Sequence, residues 1–147
     1  MTRDQIYPRL WQGSAPGERV PFDVLVLCAE EWQPTSKTFP GTLVVHAPFD
    51  DTPDLSRPLL LTATKAARLV EQALRERKQV LVTCMAGRNR SGLVSALALC
   101  MLTGADGRRV VRQIQSRRAN ALTNASFREF VEQIPAQRRR SRTLASP

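Results

Sequence analysis

The segment Phe22-Asp23-Val24-Leu25-Val26-Leu27-Cys28 is a near-continuous apolar run with no alternation of polar and apolar positions. A strand of that pattern has to be buried on both faces, which places it inside a covered, mostly parallel sheet. Gln79-Val80-Leu81-Val82-Thr83 repeats the pattern, and Thr42-Leu43-Val44-Val45-His46-Ala47 reads as a further strand closed by Pro48. Arg9 to Gln12 is a short strand stopped by Gly13. Helical periods separate the later strands. Ser56 is a fair N-cap, Pro58 suits a first turn, and Leu59, Ala63, Ala66, Val70, Ala73 and Leu74 keep helical spacing to about Lys78. Ser91 to Thr103 has the pattern of a buried helix ended by Gly104. Asp106 can cap a basic helix to Arg118, and Asn124 a last one with Phe127, Phe130, Val131 and Ile134 facing inward. This order predicts an α/β fold, a mostly parallel sheet of four to five strands with helices on both faces.

At 147 residues the chain has room for one domain, read as residues 1–135, followed by a basic, disordered tail over residues 136–147. No apolar stretch is long enough to span a bilayer, and the first residues carry no secretory signal pattern. Three cysteines, without a Cys-x-x-Cys pair, argue against a disulfide framework or a zinc site. They favour a reducing, cytoplasmic setting. The net charge of +9 predicts anionic partners, and Arg108, Arg109, Arg112, Arg117 and Arg118 crowd one segment. Such a surface would attract RNA, phosphoinositides or phosphorylated proteins, although a merely solvated arginine face would look the same.

Ligands of such sheets sit beyond the carboxyl ends of the strands. Cys84 is at one of those ends, followed by Met85, Ala86, Gly87, Arg88, Asn89, Arg90 and Ser91. In a chain this rich in arginine, a cysteine six residues before an arginine carries little weight alone. The setting gives it weight: a strand feeds the loop, Gly87 lets it turn, and an apolar helix follows. Loop amides and a helix N-terminus then form a cradle for an anion, and their field favours a thiolate. Arg90 can grip two phosphoryl oxygens with its planar fork. The chemistry implied is attack of Cys84 on a phosphate ester. That needs a carboxylic acid for the leaving oxygen, and Asp50, Asp51 and Asp54 lie in the loop after the third strand. Asp54 or Ser56 could equally cap the next helix, and Asp50 could make a turn. The lone histidine, His46, lies on a strand without a relay partner and reads as structural.

Cys84 to Ser91 resembles the C-x5-R-S loop of the protein tyrosine phosphatase superfamily, and the chain is most similar to its compact dual-specificity members. The likeness runs from about Ile6 to Ile134, with Pro8-Arg9-Leu10-Trp11-Gln12-Gly13-Ser14 similar to the opening strand and Asn124-Ala125-Ser126-Phe127 to the start of the final helix. The resemblance implies phosphate monoester hydrolysis through a phosphocysteine, with no cofactor and no metal. It implies Asp51 rather than Asp50 as the acid, Ser91 as an aid to thiolate departure, and Met85 to Asn89 as the substrate-binding loop. Thr83 stands where the family has a histidine that orients the loop and tunes the thiolate. The Gly87-x-Asn89-Arg90 arrangement also resembles RNA 5′-triphosphatases of the superfamily, which keeps RNA ends and phosphoinositides open as substrates beside phosphotyrosine and phosphoserine or phosphothreonine. A phosphate-binding pseudophosphatase is the non-enzymatic alternative. Cys28 ends its strand as Cys84 does, and Leu27-Cys28-Ala29-Glu30 resembles the segment carrying a backdoor cysteine in phosphatase-and-tensin lipid phosphatases. That implies a reversible disulfide between the two, with Cys100 inert inside its helix.

Overall fold

The computed structural model describes residues 2–17 and 20–137. Five strands form one mixed, mostly parallel sheet: β1 (Arg3–Tyr7), β2 (Leu10–Gly13), β3 (Val24–Ala29), β4 (Leu43–Phe49) and β5 (Val80–Thr83). Their spatial order is β1-β2-β5-β3-β4; only the β1–β2 pair is antiparallel. The two unalternating runs, β3 and β5, sit at the centre with every residue buried, as their composition requires. β4 continues through Pro48 to Phe49 rather than stopping before it. It is an edge strand, where a residue lacking an N–H is tolerated. The fifth strand, β1, escaped the sequence reading because Ile6 is its only buried side chain.

The α-helices are α1 (Arg57–Arg75), α2 (Arg90–Thr103), α3 (Gly107–Arg117) and α4 (Ala125–Glu132). Ser56, Asp106 and Asn124 cap α1, α3 and α4 through their side-chain oxygens. α2 ends at Gly104, whose φ of 72° is left-handed. α1 ends at Arg75, before the expected Lys78, and Arg77 turns the chain with a positive φ. All four helices pack into one cluster with Val24, Val26, Val80 and Val82. The opposite face carries Leu25, Leu27 and Leu81 under Phe22, Phe39, Trp11 and Trp32. Its cover is therefore loop and one 3-10 turn (Ser36–Thr38), lighter than the helical layer expected on that side.

Gln137 N donates to Gly104 O at 2.8 Å, two residues past the expected domain end. The rest of the basic tail, residues 138–147, lies outside the described residues. No helix among the described residues is long and apolar enough to cross a membrane.

Candidate active site

The site grows from the junction of β5 and α2. Cys84 follows β5 directly and is buried, its N–H donating to Gly13 O at 3.3 Å. Its Sγ lies 3.3 Å from Ser91 Oγ, the second residue of α2, and the two share a hydrogen bond. Between them Gly87 adopts φ 71°, and a Cβ there would lie 2.5 Å from Ser14 N and 2.6 Å from an Arg118 nitrogen. Only glycine fits that place without moving β2.

Each carbonyl from Met85 to Arg88 is bonded from outside the loop, and Asn89 O takes the first helical bond of α2. Met85 O accepts from Ala15 N (3.3 Å), Arg88 O from Leu122 N (3.0 Å) and Asn89 O from Leu93 N (2.8 Å). Ala86 O accepts from Arg118 Nη2 (3.2 Å), and Gly87 O from both Arg118 Nε (2.6 Å) and Gln12 Nε2 (3.1 Å). A peptide is planar and trans, so each outward C=O turns the next N–H inward. The amides after Met85 to Asn89 thus converge, and with the N-terminus of α2 they make a concave anion site around Cys84.

Arg90 opens α2 with its side chain 8% exposed. Its Nη1 and Nη2 donate to Glu31 Oε1 and Oε2 at 2.5 and 2.9 Å, and Nη1 also reaches Phe49 O at 3.3 Å. This end-on pairing fixes the guanidinium plane and leaves the Nε edge without a protein acceptor among the described residues. The Arg90 hydrogen bonds hold the Glu31 carboxyl at about 2, against an ordinary 4.5. The same bonds push Arg90 further up, burial opposing them.

Asp51 stands over the loop with both oxygens bonded. Oδ2 accepts from Asn89 Nδ2 (3.0 Å) and Oδ1 from Asn124 Nδ2 (2.7 Å). Asn89 Oδ1 in turn accepts from Asn124 N (2.8 Å) and Thr123 Oγ1 (3.3 Å). The Phe49 and Phe127 rings, 6.2 Å apart edge to face, seat the start of this loop on α4. Asp50 and Asp54 are exposed and outside this network; Asp54 forms the turn before Ser56.

Cys28 is fully buried. β3 and β5 run parallel with Leu27 opposite Thr83, Cys28 and Cys84 each follow that last pair by one residue, and both belong to the helical-face cluster. Burial pushes the Cys28 thiol well above its ordinary range; Cys84 adds to the effect and Arg90 opposes it. Cys100 is likewise raised by burial, to about 11. His46 is exposed and bonds Gln33 at 2.8 Å, away from the loop network.

Cys84 and Ser91, and Asn89 with Asp51, all singled out from the sequence, are brought together at this candidate site. Sequence reasoning missed Glu31, Gln12 and the bonds of Asn124 to the Asp51 loop. Gln12, a polar residue in a buried strand, was the one visible signal. Arg118 is also corrected: it is not free surface charge but 10% exposed and paired with Asp4.

A family model described as the tyrosine phosphatase family matches residues 7–144. Among curated proteins none matches the chain significantly. A mouse protein assigned as a dual specificity phosphatase and crystallised with zinc tungstate is 26% identical, with a TM-score of 0.76 over 89% of this chain and 86% of that one. Human DUSP28 is 24% identical, with a TM-score of 0.75 over 88% of this chain and 94% of its own. OH1 from Orf virus, described as a tyrosine phosphatase with triple substrate specificity, is 23% identical, with a TM-score of 0.64 over 86% and 82%. At 24% and 23% identity the human and viral proteins speak to the fold alone.

Proposed function

Because the chain belongs to the tyrosine phosphatase family, we propose that it hydrolyses phosphate monoesters of phosphotyrosine, and of phosphoserine or phosphothreonine, through a phosphocysteine on Cys84. The observation that carries this reading is the loop around Cys84, with the carbonyls of Met85 to Arg88 bonded outward and its amides without an acceptor among the described residues.

In the first step Cys84 Sγ attacks phosphorus, the bond to the ester oxygen breaks, and Asp51 protonates that oxygen. The amides of Ala86 to Asn89 and the Nε edge of Arg90 hold the three equatorial oxygens as charge shifts among them. Glu31 keeps that fork in plane, and Asn89 with Asn124 keeps Asp51 at the mouth. In the second step Asp51 takes a proton from water, whose oxygen attacks phosphorus as the P–S bond breaks. Ser91 Oγ, 3.3 Å from Sγ, stabilises the departing thiolate. The Asn89 side chain is spent on Asp51 and α4, so the likeness to RNA 5′-triphosphatases at Gly87-x-Asn89-Arg90 adds no separate support. Cys28 is the proposed resolving thiol for an oxidised Cys84.

The test is hydrolysis of an aryl phosphate, then of phosphopeptides, phosphoinositides and 5′-triphosphorylated RNA. Cys84→Ser should bind substrate but lose turnover, and Arg90→Lys should fail badly because a point charge cannot replace the fork. Near wild-type hydrolysis by Cys84→Ser would end the proposal.

A further inference from the structure

Arg118 is the most heavily engaged side chain outside the reacting groups. It follows α3, and its guanidinium makes four bonds in one plane of donors. Nε reaches Gly87 O (2.6 Å), Nη2 reaches Ala86 O (3.2 Å) and Thr2 Oγ1 (3.0 Å), and Nη1 reaches Asp4 Oδ2 (2.8 Å). Two neighbouring carbonyls of the anion loop thus hang on one rigid fork, which is itself anchored on the first strand. β1 is in turn fixed to the loop's neighbour: Ser14 N donates to Thr2 O at 2.9 Å, and Asp4 pairs with Gln12 in the β1–β2 register.

We propose that Arg118, held by Asp4, is a positioning residue for phosphate binding, and that the N-terminal strand is thereby part of the active site. The physical reason is peptide geometry. If Ala86 O and Gly87 O lose their fixed donors, those peptide planes are free to rotate, and the amides of Gly87 and Arg88 no longer stay aimed at the anion. Gln12 supports Gly87 O and Arg88 O but does not reach Ala86 O. A lysine at 118 keeps the charge but not the fork, so it cannot serve both carbonyls and Asp4 together. The Gly87–Arg118 contact is close enough that a Cβ on Gly87 would strike the guanidinium, which shows how tightly the loop is shaped against it.

The inference rests on the phosphatase reading, and the experiment separates the two. Arg118→Lys, Arg118→Ala and Asp4→Asn are compared with wild type and with Arg68→Ala, an exposed arginine of α1, by three measurements. These are kcat and KM for an aryl phosphate, competitive inhibition by inorganic phosphate, and thermal melting by circular dichroism. The Arg118 variants should lose about tenfold or more in kcat/KM and bind inorganic phosphate more weakly by a similar factor. Asp4→Asn, which keeps an acceptor but loses the charge, should lose about threefold in both. A merely structural role would lower the melting temperature without moving phosphate affinity in the folded protein. If Arg118→Ala does not fold, Arg118→Lys and the exposed Asp4→Asn carry the test. Phosphate affinity within twofold of wild type in folded Arg118→Lys would overturn the proposal. A wild type that neither hydrolyses aryl phosphate nor binds phosphate would overturn the phosphatase reading instead.

Discussion

Replacing Glu31 by alanine separates what the Glu31–Arg90 pair gives to stability from what it gives to turnover. The Glu31 side chain is 50% exposed, so water and salt screen the carboxylate, and the pair is worth no more than about 1 kcal/mol to folding. In a domain of this size that is roughly 2–4 °C of melting temperature. The effect on reaction should be larger, because the pair fixes a direction. Without Glu31, Arg90 keeps only the 3.3 Å bond to Phe49 O, and its plane is no longer set by two parallel bonds. Losing one oriented, charge-assisted contact to the transferring group costs about 1.5–3 kcal/mol, or roughly 10- to 150-fold in kcat/KM. Glutamine should fare no better, since its amide nitrogen would face an arginine N–H. The assays are aryl phosphate hydrolysis and thermal melting across pH. The Glu31 carboxyl is depressed from 4.5 to about 2, so its contribution is fully present above 4.5 and is lost as pH falls through about 2. The difference in melting temperature between wild type and Glu31→Gln should be flat above pH 5 and vanish toward pH 2. Unchanged kcat/KM in Glu31→Ala, with Arg90→Lys strongly impaired, would refute the argument that Glu31 sets the fork.

Asp51→Asn should depress turnover by about 10²–10⁴ on esters with poor leaving groups and far less on activated aryl phosphates, with Asp50→Asn near wild type; the reverse pattern shifts the acid by one residue. After peroxide treatment and thiol reduction, wild type should regain activity. In the proposed scheme peroxide converts the Cys84 thiolate to a sulfenic acid and Cys28 displaces water to form a disulfide, so Cys28→Ser should be over-oxidised and stay inactive. Equal recovery in both would remove Cys28 from the scheme.

The central strands and the caps were legible because each obeys a local rule. β3 and β5 carry unbroken apolar runs, and Ser56, Asp106 and Asn124 are small polar residues opening amphipathic segments. The front of the site was legible for the same reason: Cys84, Gly87, Arg90 and Ser91 are contiguous, and strand, turn and helix each leave a mark around them. β1 was not, because an edge strand half exposed on both sides has no apolar period to detect. Glu31 lies 59 residues from Arg90, which it binds, and Arg118 lies 31 and 32 residues from Gly87 and Ala86, whose carbonyls it holds. Nothing in composition or spacing distinguishes them from solvated charges. Only the tertiary fold shows that one arginine of a basic segment faces inward.

Thr83 stands where the supported loop begins. The resemblance assigns loop orientation partly to a histidine at this position, and threonine cannot do that work. Here Thr83 is buried, and its Oγ1 donates to Val26 O at 2.9 Å, tying β5 to β3 immediately before Cys84. That bond fixes where the loop starts but not how its peptides turn. Their turning is fixed from the other side, by Gln12 from β2 and Arg118 after α3. A loop whose orientation comes from outside donors does not need the preceding side chain to supply it. Restoring histidine at 83 would break the Val26 bond and place a larger ring in a buried strand. Thr83→His should therefore lower stability, by about 1–3 kcal/mol for overpacking, without improving phosphate affinity.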